Sequence, residues 1–181
     1  MEKITLHDKV FRPYITNQEL SADIDAVAAR INADFEGCDD VPLVLCVLNG
    51  SIMFTADLLK RLNFPLELNS IKMSSYVGTE STGEVKVTMG LTASLVGRRV
   101  IIVEDIVESG YTMEALKKML EGKGASKTYI ATMLFKPEML KVKDLKVDYV
   151  ARNIANDFVV GYGLDYNELG RNLKDIYILD K

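Results

Sequence analysis

The run Val100–Met113, VIIVEDIVESGYTM, constrains this chain more than any other segment. It begins with four β-branched apolar residues, Val100, Ile101, Ile102 and Val103. An unbroken apolar run of this kind marks a strand covered on both faces, as in a parallel sheet. Glu104 and Asp105 follow, then Ile106 and Val107, a third acid, Glu108, and the small residues Ser109 and Gly110. After Thr112, Met113, Leu116 and Leu120 recur at helical spacing. Strand, loop and helix in that order put the loop at the carboxyl end of a sheet strand, where open α/β sheets bind their ligands.

Two kinds of chemistry meet in this loop. Ser109, Gly110 and Thr112 can aim several backbone N–H groups at one point ahead of a helix, which makes an anion site suited to phosphate. Glu104 and Asp105 beside it can accept hydrogen bonds from hydroxyls. A phosphate cradle next to paired acids describes a site for a sugar phosphate; the plain alternative is a helix cap after a core strand.

The rest of the chain repeats the alternation of strand and helix. Thr16-Asn17-Gln18-Glu19 is a capping box, and Leu20, Ile24, Val27, Ile31 and Phe35 mark one face of the helix it starts, ending near Gly37. Pro42–Leu48 reads as a second buried strand, entering the turn Asn49-Gly50-Ser51 and a helix with Ile52, Phe54, Leu58, Leu59 and Leu62. That turn is a second backbone-donor site or an ordinary strand-to-helix connection. Leu66–Met73 is strand-like. Ser74–Thr88, rich in Ser, Thr and Gly, reads as a mobile loop, with a linker or a plain hairpin as alternatives. Lys127–Phe135 is a strand that delivers Lys136-Pro137 at its end, and short β-like pieces follow at 148–154, 158–160 and 176–179.

Composition narrows the function. At 181 residues with 48% hydrophobic, the chain can bury one good core. A net charge of −4 and a pI near 5.1 lack the basic footprint of a nucleic-acid binder. His7 is the only histidine, so a histidine metal cluster is excluded and a Ser-His-Asp triad is poorly supported. Cys38 and Cys46 form no CxxC pair, and no apolar run has the length of a signal peptide or membrane span. The expectation is a soluble, reduced, cytoplasmic protein.

The stretch from Val100 to Thr112 resembles the signature by which the purine phosphoribosyltransferases bind 5-phosphoribosyl 1-pyrophosphate (PRPP). Phe158–Arg171, FVVGYGLDYNELGR, is similar to a second signature, that of the hypoxanthine-guanine branch. The resemblance implies one domain over residues 1–181 with the type I phosphoribosyltransferase fold, a central parallel sheet flanked by helices. The core would span about 37–140, and the N-terminal segment with about 141–181 would form a small hood lobe.

The same resemblance implies roles. Ser109, Gly110 and Thr112 would cradle the 5-phosphate, with Glu104 and Asp105 on the ribose hydroxyls and beside the metal. Leu48, Asn49 and Gly50, with a cis peptide after Leu48, would bind pyrophosphate together with Arg171. Lys136 would read the 6-oxo group of the base, Phe158 would stack on it, and the backbone of Val159 would read its edge. Asp165 would complete the base-recognition set and hold Mg²⁺, Ser75 and Tyr76 would start a lid loop, and Glu108 would take the purine N7 proton. The implied reaction transfers phosphoribose from PRPP to N9 of a 6-oxopurine, hypoxanthine or guanine, in a homodimer or homotetramer that binds neither nucleic acid nor membrane. Four positions depart from the family pattern: Asn49 and Tyr111 stand where Lys is usual, Glu108 stands where Asp is usual, and Glu138-Met139-Leu140 lacks an Arg. These departures define the alternative, a regulator of the same fold that binds PRPP or nucleotides with little turnover. A dinucleotide oxidoreductase lacks its G-x-G-x-x-G motif.

Overall fold

The computed structural model describes residues 2–75, 85–89 and 94–180. Its first elements are two short strands, β1 (Ile4–Leu6) and β2 (Lys9–Ile15), and a long helix, α1 (Asn17–Phe35). The capping box starts α1 as expected: the Thr16 hydroxyl accepts from the Glu19 N–H at 3.2 Å, and the Glu19 carboxylate accepts from the Thr16 N–H at 2.9 Å. Next come β3 (Leu43–Leu48), α2 (Ile52–Leu59) and β4 (Glu67–Ser75). After β5 (Val85–Met89) and β6 (Arg99–Val107), α3 (Tyr111–Gly122) leads into β7 (Lys127–Phe135). A 3₁₀ turn at Pro137–Met139 precedes β8 (Tyr149–Asn153), β9 (Val159–Val160) and β10 (Ile176–Leu179).

Six strands form the larger sheet in the order β5-β4-β3-β6-β7-β8, with β4, β3, β6, β7 and β8 parallel and β5 antiparallel at one edge. The central strands are apolar along their length because both faces are covered: Leu43, Val44, Leu45, Val100, Ile101, Ile102 and Val103 are fully buried. From β3 the chain crosses outward to β4, whereas from β6 it crosses the opposite way to β7. The strand order therefore reverses between β3 and β6, and the crevice at their carboxyl ends is the switch point where this architecture binds ligands.

The second sheet, β1-β2-β10-β9, joins the two ends of the chain in one antiparallel layer, the hood. Strands β9 and β10 fall on the β-like pieces expected at 158–160 and 176–179, whereas β1 and β2 were not expected. Pro13 lies inside β2, and the sheet accommodates it with a bulge where Ile176 pairs with Ile15 and Tyr177 with Pro13.

Two expectations shift. The larger layer takes in segments outside residues 37–140, because β8 pairs in register with β7 and α1 closes over β8. Arg30 donates to the Val150 carbonyl at 2.7 Å, the Tyr149 hydroxyl to Asp34 at 2.7 Å, and Arg152 to Asp23 at 2.6 Å. The loop expected over Ser74–Thr88 is partly sheet: Ser74 pairs antiparallel with Lys86 and Ser75 with Val85, and 76–84 lie outside the described residues.

Candidate active site

Strand β6 runs on to Val107, so Glu104 and Asp105 are strand residues rather than loop residues. Side chains alternate along a strand, and the two acids diverge. Glu104 lines a cavity of about 160 Å³ together with Glu108, Ser109, Gly110 and Thr112. Gly110, at φ 87, caps α3 in the left-handed region that a glycine adopts without strain, and the Ser109 carbonyl accepts from the Lys141 N–H at 3.0 Å. The expected phosphate cradle and one of the acids thus share one concavity ahead of a twelve-residue helix.

Asp105 turns instead toward the loop after β3. A Cβ on Gly50 would lie 1.5 Å from Asp105 Oδ2, so the carboxylate sits directly on the glycine backbone. The Leu48–Asn49 peptide in that loop is cis. Ser51 is buried and donates to the Val47 carbonyl at 2.7 Å, which fixes the turn against its own strand.

Burial, followed by the neighbouring Asp105 charge, pushes the Glu104 carboxyl well above the usual carboxylate range. The folded protein therefore holds a proton on Glu104 at pH values where the unfolded chain, with an ordinary value near 4.5, has released it. More protons bound in the folded state mean that stability falls as pH rises above that ordinary value. Glu104→Gln removes the titration. Thermal denaturation from about pH 5 to about pH 8 should show the variant gaining on the wild type as pH rises; parallel curves would mean that Glu104 ionises freely.

Lys136 and Glu108 meet in an ion pair across the ends of β7 and β6. The Lys136 side chain is 6% exposed and that of Glu108 50%, so a buried ammonium faces a carboxylate that reaches solvent. The Lys136 N–H donates to the Val107 carbonyl at 3.0 Å, holding the two strand ends together. Pro137 follows at the start of the 3₁₀ turn and ends the strand there.

From the hood side, Asp165 and Arg171, expected as separate ligands of metal and pyrophosphate, are themselves paired at 2.8 Å. Arg171 also donates to the Gly163 carbonyl at 3.0 Å. A Cβ on Gly163 would lie 1.9 Å from the Gly50 carbonyl oxygen. Contacts thus run without a gap from Asp105 through Gly50 and Gly163 to Arg171 and Asp165. Val159 is buried in β9, whereas Phe158 is 42% exposed, stands 5.7 Å edge-on from Tyr166 and packs on Phe11. Ser75 ends β4, and Tyr76 lies outside the described residues.

Sequence reasoning missed three residues of this region. Gly163 and Tyr162 lie in the second signature but are identified only through their partners on α2 and its loop, and Asp57 on α2 carries no motif of its own.

Comparison with known proteins gives the family. A family model described as phosphoribosyl transferase domain matches residues 14–167. A hypoxanthine-guanine phosphoribosyltransferase of Staphylococcus epidermidis is 39% identical over 170 residues, 93% of each chain. The bifunctional protein TilS/HprT of Listeria innocua is 41% identical over 97% of this chain, which spans 27% of that longer protein. Among solved structures, a hypoxanthine phosphoribosyltransferase from Staphylococcus aureus superimposes with a TM-score of 0.86 at 38% identity, covering 93% of this chain and 91% of its own.

Proposed function

The chain belongs to the phosphoribosyltransferase family, in its hypoxanthine-guanine branch, and on that premise we propose that it transfers phosphoribose from PRPP to N9 of hypoxanthine or guanine, giving IMP or GMP and pyrophosphate. The observation that carries this reading is the Lys136–Glu108 pair across the carboxyl ends of β7 and β6. On a 6-oxopurine, the exocyclic oxygen and N7 lie side by side on one edge. A buried ammonium donates to the oxygen, and the adjoining carboxylate accepts the N7 proton. Adenine presents an amino group where the ammonium needs an acceptor, so the same pair rejects it.

As the C1′–O bond to pyrophosphate breaks and the N9–C1′ bond forms, the sugar becomes cationic, and the main tasks are position and charge. The Ser109–Thr112 loop holds the 5-phosphate, Asp105 and Glu104 the ribose hydroxyls, and the Gly50 loop with Arg171 the diphosphate. Phe158 stacks on the base and the Val159 backbone reads its edge. Mg²⁺ takes few carboxylates alongside phosphate and water oxygens. Asp165, a carboxylate 27% exposed, would hold the ion, and Glu104 and Asp105 would stand beside it on the ribose side. When bound, the ion supplies charge neutralisation of the leaving diphosphate. The enzyme acts in purine salvage in the cytoplasm, as a homodimer or homotetramer.

The test is PRPP- and Mg²⁺-dependent nucleotide formation from hypoxanthine, guanine, xanthine and adenine, each supplied separately. Rapid formation of IMP or GMP with adenine inert is expected. Tight PRPP binding without turnover on any base would overturn catalysis and leave a regulator.

A further inference from the structure

Residues 161–163 of the hood loop form a run of three left-handed residues, Gly161 at φ 99, Tyr162 at φ 50 and Gly163 at φ 100. Glycine adopts this region readily, but a bulky aromatic does so only where its surroundings hold it. Tyr162 is held at both ends. Its N–H donates to the Leu173 carbonyl at 2.8 Å, and its hydroxyl donates to Asp57 Oδ2 on α2 at 2.6 Å. Tyr162 is 5% exposed and packs into the main core. Burial, then the hydrogen bond to Asp57, raises the phenol far above its ordinary value, so it stays a donor.

Asp57 is a fixed point. Its Oδ1 pairs with Lys60 at 2.6 Å. Its backbone carbonyl accepts from Arg61 at 2.9 Å, and Arg61 also reaches Ser21 on α1 at 2.7 Å. Burial pushes Asp57 up, but hydrogen bonds from Lys60 and Tyr162 outweigh it and keep the carboxylate below its usual range. One residue further on, Gly163 lies directly against the Gly50 carbonyl.

We infer that the Tyr162–Asp57 hydrogen bond is a latch that sets the hood loop against the Gly50 loop, making Tyr162 a positioning residue for the two halves of the ligand site. On one side of the latch stand Val159, Asp165 and Arg171; on the other, α2 continues the loop that holds Gly50. Under the proposed function, which this inference presupposes, the diphosphate touches both sides, while the base lies between Phe158 and Val159 of the hood and Lys136–Glu108 of the larger sheet, so both depend on where the latch sets the hood loop. Loosening the latch therefore weakens both ligands together, while the proton-accepting pair Lys136–Glu108 stays in place on the larger sheet.

Tyr162→Phe deletes the hydroxyl and keeps the ring. The variant should raise KM for PRPP and for the base about tenfold each, with kcat changed less than threefold. Asp57→Ala should give the same loss, the double variant Tyr162→Phe/Asp57→Ala no more than either alone, and Asp57→Asn, which keeps an acceptor, near-normal constants. A second readout is independent of turnover: amide exchange in the segment 158–171, followed by mass spectrometry on the full chain, should quicken in Tyr162→Phe. Wild-type KM values for Tyr162→Phe, or additive losses in the double variant, would overturn the latch. If the wild-type protein itself makes no nucleotide, the functional reading fails and exchange decides alone: faster exchange supports the latch and unchanged exchange overturns it.

Discussion

Replacing Lys136 with Met should lower kcat/KM for hypoxanthine about 100-fold and leave the melting temperature close to that of the wild type. The lost interaction is a charge-assisted hydrogen bond worth roughly 1.5–3 kcal/mol, and each 1.4 kcal/mol is about tenfold. Methionine has similar length and suits a position that is 5% exposed, so packing survives. The carboxylate left behind on Glu108 has half its side chain in solvent and tolerates the loss. The mirror change is different. Glu108→Ala removes the side-chain partner of an ammonium that is almost wholly buried, and breaking a buried pair on that side costs up to about 3 kcal/mol. In a chain of this size, that lowers the melting temperature by about 5–10 °C. Activity and stability should therefore separate: Lys136→Met damages mainly turnover and Glu108→Ala damages both. Steady-state kinetics and thermal denaturation on both variants decide it, and an active but unstable Lys136→Met would make the pair purely structural. Glu108→Asp should lower kcat/KM by up to about 100-fold, since an unchanged loop backbone leaves the shortened carboxylate about a bond length away.

How much of this could be read in advance follows from the range of the interactions. Buried parallel strands announce themselves locally, and the apolar runs at 43–48 and 100–103 lie at the centre of the sheet. Thr16 and Glu19 fix a helix start within four residues, and that start is where it was expected. Strands β1 and β2 were not legible, because their charged, Pro-containing residues become a sheet only when β10 arrives from the other end of the chain. Within the site, Glu108 and Lys136 were each found by position in a motif, but not as each other's partner. Asp165 and Arg171 were assigned different ligands, whereas a turn with Asn167 and Glu168 at positive φ brings them together. The contacts of Gly50 with Asp105 and of Gly163 with Gly50 leave no local trace, since a glycine chosen for close approach looks like any turn glycine.

Gly50→Ala should abolish most activity, lowering kcat/KM by more than about 100-fold. The added Cβ would stand 1.5 Å from Asp105 Oδ2 and 2.5 Å from its Cγ, so one of the two must move. Gly50 has little room to retreat, because its carbonyl oxygen already lies against the Cα of Gly163 on the other side. Asp105 must then swing away, giving up the 2.8 Å bond that its Oδ1 accepts from the Ile106 N–H and leaving the ribose side of the crevice. A displacement of about 1 Å in a group that positions substrate costs on the order of 100-fold, and forcing atoms into a packed site costs about 1–3 kcal/mol of stability. The control is the double variant Gly50→Ala/Asp105→Gly, which clears the clash. Its melting temperature should return most of the way to that of the wild type while kcat/KM stays low, because the carboxylate is gone. Wild-type kinetics in Gly50→Ala would instead mean that this turn is an ordinary strand-to-helix connection and that the diphosphate is held elsewhere.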